Sequence, residues 1–508
     1  MQGTRYNFKN LFVLDMANNH QGSVEHGVEI IRRHGEVANA AGIRCAIKFQ
    51  FRQLDSFIHP DHKAESKNKH IPRFLSTRLS KAAYAKLLGE VRKEKLVAMC
   101  TPFDEESVDL IVEMGFDIIK IASCSAKDWP LMEKAAQAGL PMIVSTGGLT
   151  IDEIDDVVSF LDHRGVDFSI MHCVSIYPTP DENCNLQNIS MLKERFPDRV
   201  IGWSTHEYPQ DTAPVMVAVG QGAEMFERHV GVQTDDISLN AYSSTPEQSK
   251  CWIDACKKAQ VLVGSYQRGL PAEVERSSID SLRRGIFVKT TIESGAQISR
   301  GDVYFAMPYQ DGQLSSAVWQ EGIIAKSDLS SDQAIFPSEV ELPAPAKYRV
   351  IKSAIHEVKA LLNQARVHLG PEFEVEYSHH EGIENFRKVG TVLINCINRE
   401  YCKKILVQLP GQVHPEHFHK RKEETFQVLF GELHSNIDGQ VRVMRPGDTA
   451  LVMPGVWHNF WSETGCVFEE VSTTHFNNDS VYRSPAINKM ERLERKSIVN
   501  HWGRYQLD

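Results

Sequence analysis

Eight times in its first 265 residues the chain alternates a short apolar, β-branched run with a longer stretch of helical periodicity. The runs are LFVLDMA, CAIKFQF, VAMCTPF, DIIKIAS, PMIVSTG, FSIMHCV, VIGWST and AEMFERHV. Between them lie segments such as VEHGVEIIRRHGEVANAAG and TIDEIDDVVSFLDHRG, whose apolar residues recur at helical spacing. Eight strand–helix units in a segment of this length predict an α/β fold, a closed (β/α)8 TIM barrel. An open doubly wound sheet is the alternative, but no Gly-rich dinucleotide fingerprint accompanies these strands.

Polar residues gather where the runs end. Asp15, Asn19 and His20 follow the first, Lys48 and Gln50 end the second, and Thr101 ends the third. Lys120 and Ser123 belong to the fourth, Ser145 and Thr146 to the fifth, Ser175 and Tyr177 to the sixth. Ser204 and His206 close the seventh and His229 the eighth. In a closed barrel these ends meet at one rim, the rim where barrel enzymes carry their chemistry. One such residue alone reads as a satisfied polar group; the whole ring reads as a site. Lys48 and Lys120 with the hydroxyls of Thr101, Ser123, Ser145 and Ser204 suit a phosphate-bearing substrate, which needs fixed donors around a dianion. His206 and His229, on adjacent strands, can share a divalent ion and leave coordination positions open. The alternative chemistry is a Schiff base on Lys120.

NNHQG (18–22), IKFQ (47–50), CTPFD (100–104), IKIAS (119–123), STGG (145–148), MHCVSIYPTP (171–180) and FERHV (226–230) resemble, in order, the sialic acid synthase family. The resemblance implies condensation of phosphoenolpyruvate with an amino-sugar aldehyde. Lys48, Thr101, Lys120, Ser123, Ser145 and Ser204 would surround phosphoenolpyruvate, Gln50 and Tyr177 would face the acceptor, and Ser175 would be a further substrate-binding residue. His206 and His229 would hold Mn2+ or Mg2+. Asp15 stands where the family carries a glutamate and would serve as base or ligand. Other departures also fall at the acceptor end: Ser125 replaces a second glutamate, and LNAYSSTP (239–246) stands where a Pro-Asp pair is usual.

Residues 266–280 are polar and linker-like, and 281–308 reads as short β segments in a small module ending near 336. That module resembles the family's antifreeze-like (SAF) domain, although AMPYQDG replaces the usual Arg-Pro-Gly. The resemblance implies a homodimer, since such modules reach the partner's barrel. Residues 337–380 read as a Pro-rich linker and a helix, 381–485 as a domain of short alternating strands, and 486–508 as a charged tail that packs as a helix or frays.

Within the third region, GQVHPEHFHKRKEETFQVLFG (411–431) places His417, His419 and Glu424 within eight residues between glycines, and His458 follows in PGVWHNFW. Imidazoles two residues apart share one face of a strand. Three nitrogens and a carboxylate oxygen suit a divalent transition metal such as Mn2+, Zn2+ or Fe2+; the alternative is a solvated hairpin. The spacing resembles cupins, and residues 385–480 resemble D-lyxose ketol-isomerases, which implies metal on His417, His419, Glu424 and His458. Isomerisation moves a proton between carbons 1 and 2, so a base beside the metal is needed. Lys422 is the first candidate and Glu470 the second, with a solvated lysine and a structural ion pair as their ordinary readings. His414, His379, His380 and His434 fit no spacing and read as surface residues. Trp457, Phe460 and Trp461 read as core.

The net charge of −10 is spread along the chain and leaves no footprint for nucleic acid or anionic membranes. Ten cysteines without CxxC pairs predict reduced thiols. No apolar run is long enough to span a bilayer and the N-terminus has no signal-like core, which predicts a cytoplasmic protein. Three functional readings stay open: a bifunctional enzyme of nonulosonic-type acidic sugar synthesis, a synthase barrel with a sugar-binding cupin, or a barrel that has lost synthase activity.

Overall fold

The computed structural model describes residues 5–63, 66–265, 269–343, 347–369 and 373–499. The chain divides into two compact units after Gly269. In the first, all eight expected strands form: β1 (Leu11–Asp15), β2 (Arg44–Phe51), β3 (Val97–Pro102), β4 (Ile118–Ile121), β5 (Met142–Ser145), β6 (Phe168–Cys173), β7 (Ile201–Thr205) and β8 (Met225–His229). They pair in parallel and in sequence order, and β8 closes on β1.

Strand alternation then divides the side chains. Leu11, Val13, Ala46, Met99, Ile118, Ile143, Met171 and Met225 fill the floor of the barrel. Phe12, Leu14, Ile47, Phe49, Ile119 and Phe226 face outward, into a second core with the helices. The inward parity continues to the strand ends: 13 to Asp15, 46 to Lys48, 118 to Lys120, 143 to Ser145, 225 to Glu227 and His229. Register does the rest. Asp15 pairs with Lys48 on one side and with His229 on the other, so three strands deliver their functional groups to one level. Local signals hold the helices behind them. Helix Ile151–His163, for example, starts in a capping box in which the Thr150 hydroxyl accepts from Glu153 N–H and the Glu153 carboxylate accepts from Thr150 N–H.

The second unit opens with helix Glu273–Ser281, where the sequence predicts only a polar linker; none of its residues is buried, so no apolar stripe announces it. A small module follows, with an antiparallel pair (Gly285–Val288, Val303–Ala306) and three short strands (Gln297–Ile298, Ile323–Ala325, Val340–Glu341) around Ile286, Val288, Ile298, Leu329 and Val340. Its last strand lies beyond residue 336 because Val340 completes that core. Helix Lys347–Gln364 inserts Ile351, Ala354, Ile355, Val358 and Leu362 into a core shared with Val375, Tyr377, Val392 and Ile394. The remaining strands form a seven-stranded and a five-stranded antiparallel sheet.

Two expectations are corrected here. The tail begins as expected, in the short helices Pro485–Lys489 and Arg492–Arg495, but Lys496–Val499 is a strand paired with Glu374–Ser378, too short and too charged to show a strand pattern. His379, His380 and His414 are buried. His414 stacks on Phe460 with ring centroids 4.7 Å apart, and His380 meets it edge-on at 5.2 Å, so these imidazoles pack as small aromatics. Phe460 is core as expected. All ten cysteines are free thiols, and no described helix is long and apolar enough to cross a membrane.

Candidate active site and metal centre

The strand ends of the barrel open into a cavity of about 990 Å3. At its base a buried charge cluster joins four strands. Lys48 Nζ lies 3.0 Å from Asp15 Oδ2 and 2.9 Å from Glu227 Oε1, and Lys120 Nζ lies 3.5 Å from Glu227. Lys120 also donates to Ser145 Oγ at 2.5 Å, and Ser204 Oγ donates to Glu227 Oε1 at 3.0 Å. Burial works against the Lys48 ammonium, but Asp15 and Glu227 outweigh it and hold its pKa above the ordinary value. Lys120 has the weaker partner, and burial prevails, lowering its pKa. Glu227 is held well below the carboxylate range: the two ammoniums overcome its burial.

Beside the cluster, the rings of His206 and His229 lie 5.3 Å apart, and Tyr242 packs edge-on against both. His206 Nδ1 bonds the Val174 carbonyl at 2.9 Å, so it carries the proton and Nε2 is the available lone pair. Burial, then His229, pushes the His206 pKa down to about 3, which keeps the ring in the neutral form a metal requires. His229 Nε2 lies 3.4 Å from Asp15 Oδ2. This donor set of two imidazoles and a carboxylate fits a divalent ion with open positions.

Gln50, Ser123, Ser175 and Tyr177 also line the cavity. Ser123 Oγ accepts from Gly147 N–H at 2.9 Å. Gly147 is required there, since a Cβ would stand 2.5 Å from Ser175 Oγ and 2.8 Å from Ser123 Oγ. Thr101 is the exception: buried, with Oγ1 unpartnered, it lies outside the cavity lining.

In the C-terminal sheets, His417, His419 and His458 converge, with their ligand atoms within 4.8 Å of one another. Each Nδ1 is tied behind: His417 to Pro415 O at 3.0 Å, His458 to Val456 O at 3.1 Å, His419 to Ser480 Oγ at 3.3 Å. The Nε2 atoms of His419 and His458 and Oε2 of Glu424 are buried without hydrogen-bond partners. Glu424 lies 3.2 Å from His419 Nε2 and 3.3 Å from His458 Nε2. Orphaned inward lone pairs backed by fixed Nδ1 partners are what a divalent ion would satisfy, so these four residues fit a metal. Lys422 contacts Glu424 directly and lies 3.0 Å from Glu470, which also receives Lys404 at 3.4 Å. Burial opposes the Lys422 ammonium, but the two glutamates prevail and raise its pKa.

A model described as the NeuB family matches residues 36–268. An uncharacterised protein of Methanocaldococcus jannaschii is 32% identical over 292 residues, which are 57% of this chain and 82% of that one. A crystal structure assigned to spore coat polysaccharide biosynthesis protein E of Chromobacterium violaceum is 42% identical, with a TM-score of 0.62. It covers 66% of this chain and 100% of that one. This chain belongs to the NeuB family. The N,N'-diacetyllegionaminic acid synthase of Legionella pneumophila is 28% identical over 57% of this chain and 83% of its own. Behind the NeuB-family barrel, a second model, described as Cupin domain, matches residues 405–469.

The NeuB-family barrel holds a residue the sequence reading passed over. Glu227 lies in FERHV, two residues before His229, and strand alternation alone turns it inward. Arg52, which immediately follows β2, and Tyr242, from the connection after β8, also line the cavity; both sit in segments without periodicity.

Proposed function

We propose that the barrel condenses phosphoenolpyruvate with a sugar aldehyde and releases phosphate, and that the cupin interconverts aldose and ketose forms of a sugar. The observation that carries the first half is the cluster of Lys48, Lys120 and Glu227 amid serine hydroxyls, beside the His206–His229 pair. Two buried ammoniums with Ser123, Ser145 and Ser204 supply fixed donors for a phosphate and a carboxylate. Carbon 3 of phosphoenolpyruvate attacks the aldehyde carbon, water adds at carbon 2, and phosphate leaves as its C–O bond breaks. Asp15, 3.0 Å from Lys48 and 3.4 Å from His229, is placed to take the proton that the water adding at carbon 2 must lose. A divalent ion on His206 and His229, Mn2+ or Mg2+, would polarise the aldehyde. Gln50 and Tyr177 would face the acceptor, and Ser175, also in the cavity lining, would bind substrate.

In the cupin, an ion on His417, His419, Glu424 and His458 would stabilise enediolate charge. Lys422 and Glu470, 3.0 Å apart and buried beside it, can pass a proton between carbons 1 and 2. The two halves connect chemically, because the condensation needs a free aldehyde and an aldose-forming isomerase makes one. The β module from Gly285 to Glu341 is read as the antifreeze-like domain, and the protein as a cytoplasmic homodimer.

The test is phosphate release from phosphoenolpyruvate by the full-length protein with a panel of aldoses, alongside exchange of solvent deuterium into the sugars. No release with any aldose refutes the barrel reading. Lys422→Met should abolish the exchange while bound metal persists; a wild-type protein without exchange makes the cupin a binding module.

A further inference from the structure

The outer half of the barrel cavity has a charge that the condensation does not use. It is walled largely by the long connection from β2 to helix Lys81–Lys93, which contributes Arg52, Lys69 and Arg73. Among the described lining residues the only carboxylates are Asp15 and Glu227, both engaged by Lys48 at the base. A cationic wall in a chain of net charge −10 runs against the overall balance.

Arg52 is held in place. Its guanidinium lies 3.5 Å from the centre of the Phe103 ring and 4.1 Å from that of Phe74. Both Nη atoms donate to Gln50 Oε1 at 3.2 Å, and Nε is buried without a partner. Gln50 in turn donates to Asp15 Oδ2 at 3.3 Å, so an amide stands between Arg52 and that carboxylate. Arg73, on helix His70–Ser76, makes one long hydrogen bond, 3.4 Å to Asn19 Oδ1. Neither arginine forms an ion pair with a described residue. A guanidinium fixed between aromatic rings and short of a countercharge is costly unless a ligand supplies one.

We propose that the acceptor is an anionic aldose, whose phosphate or carboxylate is received by Arg52 and Arg73 while its aldehyde end lies at Asp15 and His229. This rests on the reading of the barrel as a condensing enzyme. The cavity volume, at the upper end for small-molecule sites, leaves room for an acceptor beside phosphoenolpyruvate.

Titration calorimetry on the full-length protein, with Mn2+ and saturating phosphoenolpyruvate, decides the matter. Mannitol, mannitol 1-phosphate and mannonate serve as probes; none has an aldehyde, so none turns over. The phosphate or the acid should bind at least about tenfold tighter than mannitol, and which of them does so identifies the anion. Arg52→Met and Arg73→Met should each reduce that advantage. Equal binding of the three probes, or an advantage that persists in both variants, overturns the proposal. If Arg52→Met fails to fold, the wild-type comparison and the exposed Arg73→Met still decide. Phosphoenolpyruvate that gives no binding heat by itself refutes the barrel reading instead, so the two failures are separable.

Discussion

Glu227 is one carboxylate between two ammoniums, at 2.9 Å from Lys48 and 3.5 Å from Lys120, and all three side chains are buried. Removing one member of such a cluster leaves uncompensated buried charge, which costs about 3–5 kcal/mol. Glu227→Gln should therefore melt well below wild type. Phosphoenolpyruvate should restore more stability to the variant than to wild type, because it brings the missing negative charge. Thermal denaturation with and without phosphoenolpyruvate checks both expectations; equal ligand-induced shifts would contradict the placement of phosphoenolpyruvate on this cluster. A smaller change tests the neighbouring hydroxyls. The Cβ of Gly147→Ala would press on Ser175 and Ser123, so KM for phosphoenolpyruvate should rise by roughly tenfold while the fold survives. Steady-state kinetics with circular dichroism separates that outcome from general damage.

At the scale of elements, the strand Lys496–Val499 is pinned by charge as well as by backbone pairing. Lys496 and Arg492 both reach Glu376 on the strand Glu374–Ser378, Arg492 at 2.9 Å. Burial would raise the Glu376 carboxyl, but Lys496 and then Arg492 prevail and draw it from 4.5 down to about 2. A depressed carboxylate stabilises the fold fully above its unfolded pKa and loses that contribution as pH falls through the folded value. The gap between wild type and Glu376→Gln should thus be constant from neutral pH to about 4.5, on the order of 3 kcal/mol, and close towards pH 2. Urea titrations across that range measure it.

Elements also show what the sequence makes legible. The eight barrel strands announce themselves because each is a continuous apolar run between amphipathic helices. Asp15, Lys48, Lys120, Ser145, Ser204, His206 and His229 follow from those strands, since the inward parity of the floor residues continues to the rim. The cupin ligands are legible from spacing alone. Glu227 was hidden because a single acid next to an arginine and a histidine reads as an exposed charged end. Arg52 and Tyr242 lie in connections whose position depends on tertiary packing rather than on periodicity. The strand Lys496–Val499 forms only because a partner edge awaits it, and the buried His380 and His414 are paid for by aromatic neighbours from three different strands.

On the scale of the whole molecule, two independent donor sets predict two classes of bound metal. His229→Ala should remove one and leave the other; His458→Ala should do the reverse. Metal analysis of the purified variants tests this without any assay of turnover. Chelation should then lower the stability of the cupin more than that of the barrel, because three imidazole Nε2 atoms and Glu424 face inward with fixed Nδ1 partners behind them. Differential scanning calorimetry with and without chelator would report which transition moves.

A carboxylate that already neutralises Lys48 and Lys120 is a resident competitor for every anion that enters the barrel. A small anion with one point of attachment gains little by displacing it, whereas one that presents phosphate and carboxylate together can engage both ammoniums and several hydroxyls at once. The internal ion pair therefore works as a threshold. If the barrel condenses phosphoenolpyruvate as proposed, this threshold would discriminate against inorganic phosphate from the surroundings and hasten departure of the phosphate that the reaction releases.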